Sequence, residues 1–382
     1  MTLFDPRRLA LARSAAGKTK SDLARDLGLS PASISQYEAG NTLPRASVIA
    51  EMALLLGVHP RYFEKTPDRR AVSPASRSFF RSLRATRQWE RDAADALSEH
   101  VYDVVSFIES RVTLPEPEVP SFPIHGEASR NDVEQVAAAL RRHWGVAPGR
   151  PLANVVRLME SQGVFVCRPP AVSQRVDAFS RWFDTRPLVV LSDVKRDKAR
   201  SRFDAAHELG HLVMHHEPEF SDRVQERQAH AFAAAILMPA AEVKEDLPSR
   251  PPRGGDWERL KEAQLRWGVS TAALLYRAKE LGTLSDAAFR RAMTRYNVLR
   301  LGNEDGTVLG APEEPRLLPE AVQALMNHNR WTYDDFAAEL RFTSRQLEAV
   351  LGPAIDKDMA PQIGELVQFP NRPHGENIDC LG

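Results

Sequence analysis

Apolar positions in the first sixty residues recur at helical intervals: Leu9, Leu23, Ala24, Leu27, Ile34, Ile49, Met52, Ala53 and Leu56. Gly17, Gly28, Gly40 and Gly57 interrupt the pattern, which predicts several short helices over residues 6–64. Ser30 followed by Pro31 marks a helix start, a side-chain cap before a proline in the first turn. Residues 66–74 read as a linker. A long amphipathic helix is predicted over 77–112, with Leu83, Leu97, Val101, Val104, Val105 and Ile108 inward. The proline-rich run 114–123 predicts an extended strap.

Beyond residue 130 the pattern mixes periods. Helices are predicted over 133–144, 152–162, 201–215 and 222–237. The apolar, β-branched runs 164–167 and 188–191 predict strands, with 179–183 a third. After a loop at 248–255 the period is helical to about Gly352. Leu317 to Leu351, with Pro319, Trp331 and Phe336 at helical spacing, reads as core packing. The fold class expected is α+β, mostly α. The domains expected are 1–65, a helical DNA-binding unit; 66–125, linker and long helix; 126–247, a mixed domain with a small sheet; 256–352, a helical C-terminal region; and 353–382, a flexible tail.

Composition narrows the class. With 27% charged and 43% hydrophobic residues, the 382-residue chain suits two or three globular domains rather than disorder. The 51 basic and 51 acidic residues balance, which excludes a uniformly basic nucleic-acid coat. Residues 1–90 nevertheless carry a basic excess, including Arg77, Arg81, Arg84 and Arg87, of the kind phosphate binding needs. Two cysteines, Cys167 and Cys380, make neither a disulfide framework nor a zinc finger. The apolar stretch 9–12 stops at Arg13, too short for a signal peptide, and no segment is long enough to span a bilayer, so the cytoplasm is expected and no membrane contact.

The chemistry lies in His207-Glu208-Leu209-Gly210-His211. Histidines four apart share one helix face, so both imidazoles can grip one Zn²⁺. Glu208, beside the first ligand, reaches the open coordination position, where it can take a proton from water and pass it to a leaving amine. A third ligand is needed. His215 lies two turns from His207, roughly 12 Å along the axis and too far for all three histidines to share a metal; it suits the helix C-terminus instead. Glu226, on the following helix, is the better candidate. His230, four residues on, is a competing ligand or a supporting group.

The stretch Arg202-Phe-Asp-Ala-Ala-His-Glu-Leu-Gly-His-Leu-Val-Met-His215, followed by Glu226-Arg-Gln-Ala-His-Ala-Phe-Ala-Ala-Ala-Ile-Leu-Met-Pro239, resembles the ImmA/IrrE family of zinc metallopeptidases. The resemblance implies a zincin-like domain in which His207, His211 and Glu226 hold zinc and Glu208 is catalytic. His230 departs from a position often occupied by asparagine. Residues 177–182 and 187–191 are similar to the family's strands, and the resemblance extends weakly over 260–282, a helical pair expected to pack on the catalytic domain. An edge strand in zinc peptidases holds substrate extended, which suggests Phe179 to Trp182 for that place, with core packing the plain alternative.

Residues 18–44 resemble the Xre, or lambda-repressor, type of helix-turn-helix. In that arrangement Pro31, Ala32, Ser33 and Gln36 face bases in the major groove, while Lys20 and Arg45 suit phosphates. Lys20 and Pro31 depart from glutamines common in that type, so operator sequence does not carry over. One such module reads a half-site, so a homodimer is expected, with the 77–112 helix a dimerisation element or an internal spacer. Together the two resemblances imply a DNA-binding regulator that hydrolyses a peptide bond in a regulatory protein, either a helix-turn-helix repressor or the chain itself, in a stress, phage or mobile-element response. The alternative is a transcription factor whose zinc domain senses a ligand or partner without proteolysis.

Overall fold

The structure, a computed structural model, describes residues 4–64, 88–124, 126–169, 178–192, 197–215, 222–299 and 308–352. The linker expected at 66–74, the start of the 77–112 helix with Leu83, and the tail at 353–382 lie outside them. Among the described residues no helix is long and apolar enough to cross a membrane.

The N-terminal unit is built from α1 (Pro6–Ala15), α2 (Lys20–Asp26), α3 (Pro31–Glu38) and α4 (Ala46–Leu56), closed by a 3-10 turn at Pro60–Phe63. Its helix starts are chemically specified. Asp5 caps α1 ahead of Pro6, Thr19 and Asp22 form a reciprocal capping box on α2, and Ser30 accepts from the Ser33 amide ahead of Pro31. Gly28 makes the turn between α2 and α3 at φ +64°, a conformation costly to any residue with a Cβ. Leu23, Ala24 and Ile34 are buried where α2 and α3 meet.

The next helix, α5 (Gln88–Glu109), is the hub of the molecule. Ala94, Ala96, Val101, Tyr102, Val104, Val105 and Ile108 are all buried. On one side Asp103 forms a buried ion pair with Arg8 of α1, and His100 Nε2 lies 2.6 Å from the Tyr62 hydroxyl. On another, Ser98, Asp95 and Glu99 meet Arg181. Among the described residues, the apolar face of this helix packs on α1, the C-terminal helices and the sheet of the same chain, an arrangement compatible with an internal spacer.

The central domain contains α6 (Arg130–His143), α7 (Val155–Ser161), β1 (Phe165–Cys167), β2 (Ala178–Phe183), β3 (Arg186–Leu191), α8 (Lys198–Met214), α9 (Asp222–Leu237), the short α10 (Ala240–Val243), α11 (Asp256–Trp267), α12 (Thr271–Glu280) and α13 (Asp286–Val298). The strands lie in the order β1-β3-β2, with β1 parallel and β2 antiparallel to β3. Helices cover both faces, which is why the strands read as apolar runs rather than as clean alternation. Val166, Ala178, Val189 and Leu191 join a core with α6 to α9 and α11 to α13. Phe165, Cys167, Phe179, Phe183, Leu188 and Val190 point the other way, into a core shared with α5 and the N-terminal unit.

That second core is completed by α14 (Leu317–Asn329), α15 (Tyr333–Glu339) and α16 (Ser344–Leu351). The helical C-terminal region is thus divided: α11–α13 belong with the core of α6 to α9, α14–α16 with the hub. Two carboxylates clasp α14 to the central domain. Glu313 accepts from the amides of Val155 (2.7 Å) and Val156 (3.2 Å) and pairs with buried Arg202. Glu160, at the end of α7, accepts from the amides of Arg316 and Leu317, both at 2.8 Å. Each carboxylate thereby satisfies orphan donors at the other segment's helix start. The proline-rich strap is extended as expected. It hydrogen-bonds along the domain through the Glu118 amide to Gln162 O, the Phe122 amide to Val213 O and the Ile124 amide to Met214 O.

Candidate metal centre

Asp197 caps α8 by accepting from the Arg200 amide at 2.8 Å, and the helix then carries the His-Glu-x-x-His motif into the core. One turn apart, the His207 and His211 rings have centroids 4.9 Å from each other. Gly210, between them, lets α9 pack against α8: a Cβ there would lie 2.9 Å from Phe232 Cδ1, and Phe232 is wholly buried. This close approach brings Glu226 across. Its Oε2 lies 3.0 Å from His207 Nε2, and its Oε1 3.3 Å from His211 Nε2.

Among the described residues, His207, His211 and Glu226 are the group of metal-ligating side chains that converge, with one donor atom of each within 4.8 Å of the others. The two Nε2 atoms face each other at 3.2 Å. Two imidazole lone pairs and a carboxylate oxygen directed at one point fit a divalent cation of the zinc type, which takes nitrogen and oxygen donors.

The electrostatics agree with that donor set. Burial works to raise the Glu226 carboxyl, but hydrogen bonds from His207 and His211 outweigh it and hold the group well below the usual carboxylate range. For His207, burial opposes the charged form, yet the bond to Glu226 and the nearby charge of Glu208 raise its pKa. Glu208 is buried beside these groups. Burial pushes its pKa up to about 7, against the pull of His207 and a hydrogen bond from Ser180. A carboxyl poised near neutrality is suited to taking and returning a proton.

Ser180 is a residue the sequence reading missed. From β2, its Oγ donates to Glu208 Oε2 at 2.7 Å, and the serine is fully buried. The signal was a small hydroxyl inside the otherwise bulky run Ala178-Phe-Ser-Arg-Trp-Phe183. Trp182 shares that face, and its Nε1–H donates to Leu212 O at 3.2 Å. Phe179 takes the other side of the strand. Strand alternation turns its side chain to the opposite face, where it is fully buried in the hub core as the core-packing alternative has it, while β2 itself lies at the edge of the described sheet, paired with β3 alone.

His230 also departs from expectation. It is exposed and rests against Phe203, with ring centroids 4.7 Å apart, outside the converging group. His215 does terminate α8, but as a buried neighbour of His211: the Nδ1 atoms lie 3.0 Å apart, and its Nε2 is 3.0 Å from Gln228 Oε1. Burial first, and then the adjacent His211, lower its pKa to about 3.

In the N-terminal unit, Pro31, Ala32, Gln36 and Arg45 are exposed. Ser33 is half-buried, and its hydroxyl lies 2.9 Å from that of Ser30. Lys20 Nζ is 3.3 Å from Glu38, a carboxylate also held by Arg13. Lys20 thus touches the end of α3, with its side chain still 44% exposed.

The fold and the converging donors define a metallopeptidase-type domain joined to a helix-turn-helix unit. Comparison with family models agrees on both counts: residues 159–279 match the Peptidase M78 family, described as the IrrE N-terminal-like domain, and residues 7–62 match a helix-turn-helix domain. The chain thus carries, in order, a region similar to each of these two domain types. No curated protein matches it.

Proposed function

We propose that this chain is a cytoplasmic, operator-binding regulator that uses zinc to hydrolyse a peptide bond in a regulatory protein, either a helix-turn-helix repressor or the chain itself, in a stress, phage or mobile-element response. The observation that carries the reading is the convergence of His207, His211 and Glu226 next to a buried Glu208. His207, His211 and Glu226 would hold the ion, which supplies Lewis acidity toward a carbonyl and toward water. Glu208 takes a proton from the attacking water and returns it to the departing amine nitrogen. Ser180 holds Oε2 of Glu208, which limits how the carboxylate rotates as the proton moves.

The α3 surface bearing Ala32 and Gln36 is exposed, as reading base edges in the major groove requires. Pro31 and Ser33 lie at the same end of α3, and Arg45 follows at the start of α4. A single module reads a half-site, so operator binding by two copies of the chain belongs to this reading. Self-cleavage at 66–74 would fall on residues outside those described.

A second reading keeps the metal but not the hydrolysis: a transcription factor whose metal domain senses a ligand or partner. The retained Glu208 weighs against it, because a sensing or structural site needs no proton shuttle. The test incubates purified wild-type chain and the Glu208→Gln variant with candidate helix-turn-helix repressors, with and without chelator. Cleavage by wild type alone, abolished by chelator, supports the peptidase. Metal retention with no cleavage by either protein, and regulation unaffected by Glu208→Gln, supports the sensor.

A further inference from the structure

Behind His211 lies a chain of hydrogen bonds that ends on a backbone carbonyl. The Nδ1 atoms of His211 and His215 are 3.0 Å apart, His215 Nε2 is 3.0 Å from Gln228 Oε1, and Gln228 Nε2 donates to Gly126 O at 3.0 Å. His211 and His215 are each 3% exposed and Gln228 5%, so water does not substitute for these partners. The acceptor at the end lies two residues past Ile124, whose amide, like that of Phe122, is fastened to the last turn of α8 through Met214 O and Val213 O. Gly126 adopts φ +65°, a left-handed conformation at this bend that any other residue would strain.

We infer that Gln228, acting through His215, is a positioning residue that fixes the proton of His211 on Nδ1 and so leaves the Nε2 lone pair directed at the metal. The argument runs inward from Gly126. A carbonyl oxygen only accepts, so the Gln228 amide must turn its NH₂ to Gly126 and its oxygen to His215. That oxygen also only accepts, so His215 carries its hydrogen on Nε2. The two Nδ1 atoms, 3.0 Å apart, share one hydrogen, and with that of His215 placed on Nε2 the donor is Nδ1 of His211. The remaining nitrogen of His211, Nε2, is the atom that faces Glu226 and His207. Metal-bound histidines commonly donate their second N–H to a partner that sets ring orientation and tautomer. Here that partner is another histidine, itself set by a glutamine.

Gln228 lies on the same helix as Glu226. The helix α9 therefore supplies one metal-side carboxylate and, two residues later, the group that orients a ligand on α8. Anything that moves α9 along α8 would disturb both together.

This inference rests on the metallopeptidase reading, and its test separates the two. Full-length chain labelled with ¹⁵N-histidine and loaded with zinc is examined by NMR for the protonated nitrogen of each ring. The expected result is His211 protonated at Nδ1 and His215 at Nε2; a hydrogen on His215 Nδ1, or metal on His211 Nδ1, overturns the proposal. In parallel, chelator competition measures zinc affinity of wild type, Gln228→Leu and Gln228→Met. Both variants should bind zinc roughly 10–100-fold more weakly than wild type, while metal-free chains melt together. Wild-type affinity in both variants overturns the proposal and leaves the peptidase reading standing. A wild-type chain that takes up no zinc overturns the reading itself, and the relay with it. If neither variant folds, the wild-type tautomers decide.

Discussion

Ser180 on β2 donates a 2.7 Å hydrogen bond to Glu208 on α8, twenty-eight residues further along the chain. The bond joins the sheet to the residue expected to move the proton, and both partners are buried. Removing a hydrogen bond to a charged group costs about 1.5–3 kcal/mol, so Ser180→Ala should lower kcat roughly 10–100-fold by leaving the carboxylate free to rotate. Zinc content should not change, because Ser180 touches no metal-side donor. Elemental analysis and single-turnover cleavage check this; an unchanged kcat would remove Ser180 from the account.

The approach of α9 to α8 depends on Gly210. A side chain there would meet the buried ring of Phe232. Gly210→Val should destabilise the chain by about 2 kcal/mol through overpacking and, by moving Glu226 away from the paired imidazoles, weaken zinc binding. Thermal melting and chelator competition should show both losses together. Unaltered zinc affinity would mean that the glycine serves packing alone.

The carboxylate clasp makes stability depend on pH. Burial raises the pKa of Glu160 from 4.5 to about 7, against the amides of Leu317 and Arg316 and the charge of Arg157. A carboxyl raised in the folded state binds more protons folded than unfolded. Its contribution is fully present below about pH 4.5 and is lost as pH rises through about 7. The shift corresponds to on the order of 3 kcal/mol. Denaturation of wild type and Glu160→Gln across this range should show wild type losing stability relative to the variant as pH rises. Parallel pH curves would contradict the assignment.

For DNA, Gln36 and Arg45 should separate into two kinds of contact. With an operator selected from a random duplex library, Gln36→Ala should cost about 1–3 kcal/mol and relax preference at one base pair. Arg45→Ala should weaken binding to all sequences and reduce the salt slope by about one. Gel-shift titrations at several salt concentrations distinguish the two.

What could be read from the chain was local. The His207/His211 pair, the Ser30–Pro31 start of α3 and the αL turn at Gly28 each lie within a few residues, where backbone geometry alone relates sequence to space. Strand positions were legible for the same reason. Which face a strand residue takes was not, since a period of two gives alternation without saying which side holds the metal; only the structure shows that Ser180 faces Glu208 while Phe179 enters the hub core. Ser180 with Glu208, His215 with Gln228, and Glu160 with the start of α14 are pairings set by tertiary packing. Each involves a polar residue that, read singly, resembles an ordinary hydroxyl, imidazole or solvated carboxylate. The role of α5 was hidden similarly: its helical period showed an apolar face but not that the chain itself covers it.

The central claim is that His207, His211 and Glu226 together hold one divalent ion. Zinc stoichiometry of the purified full-length chain and its single variants tests it most directly. We expect close to one zinc per chain for wild type and for Glu208→Gln, and little or none for His211→Ala and Glu226→Ala with their fold retained. Full zinc retention in the Glu226→Ala variant, or a wild-type chain that binds none, would contradict it.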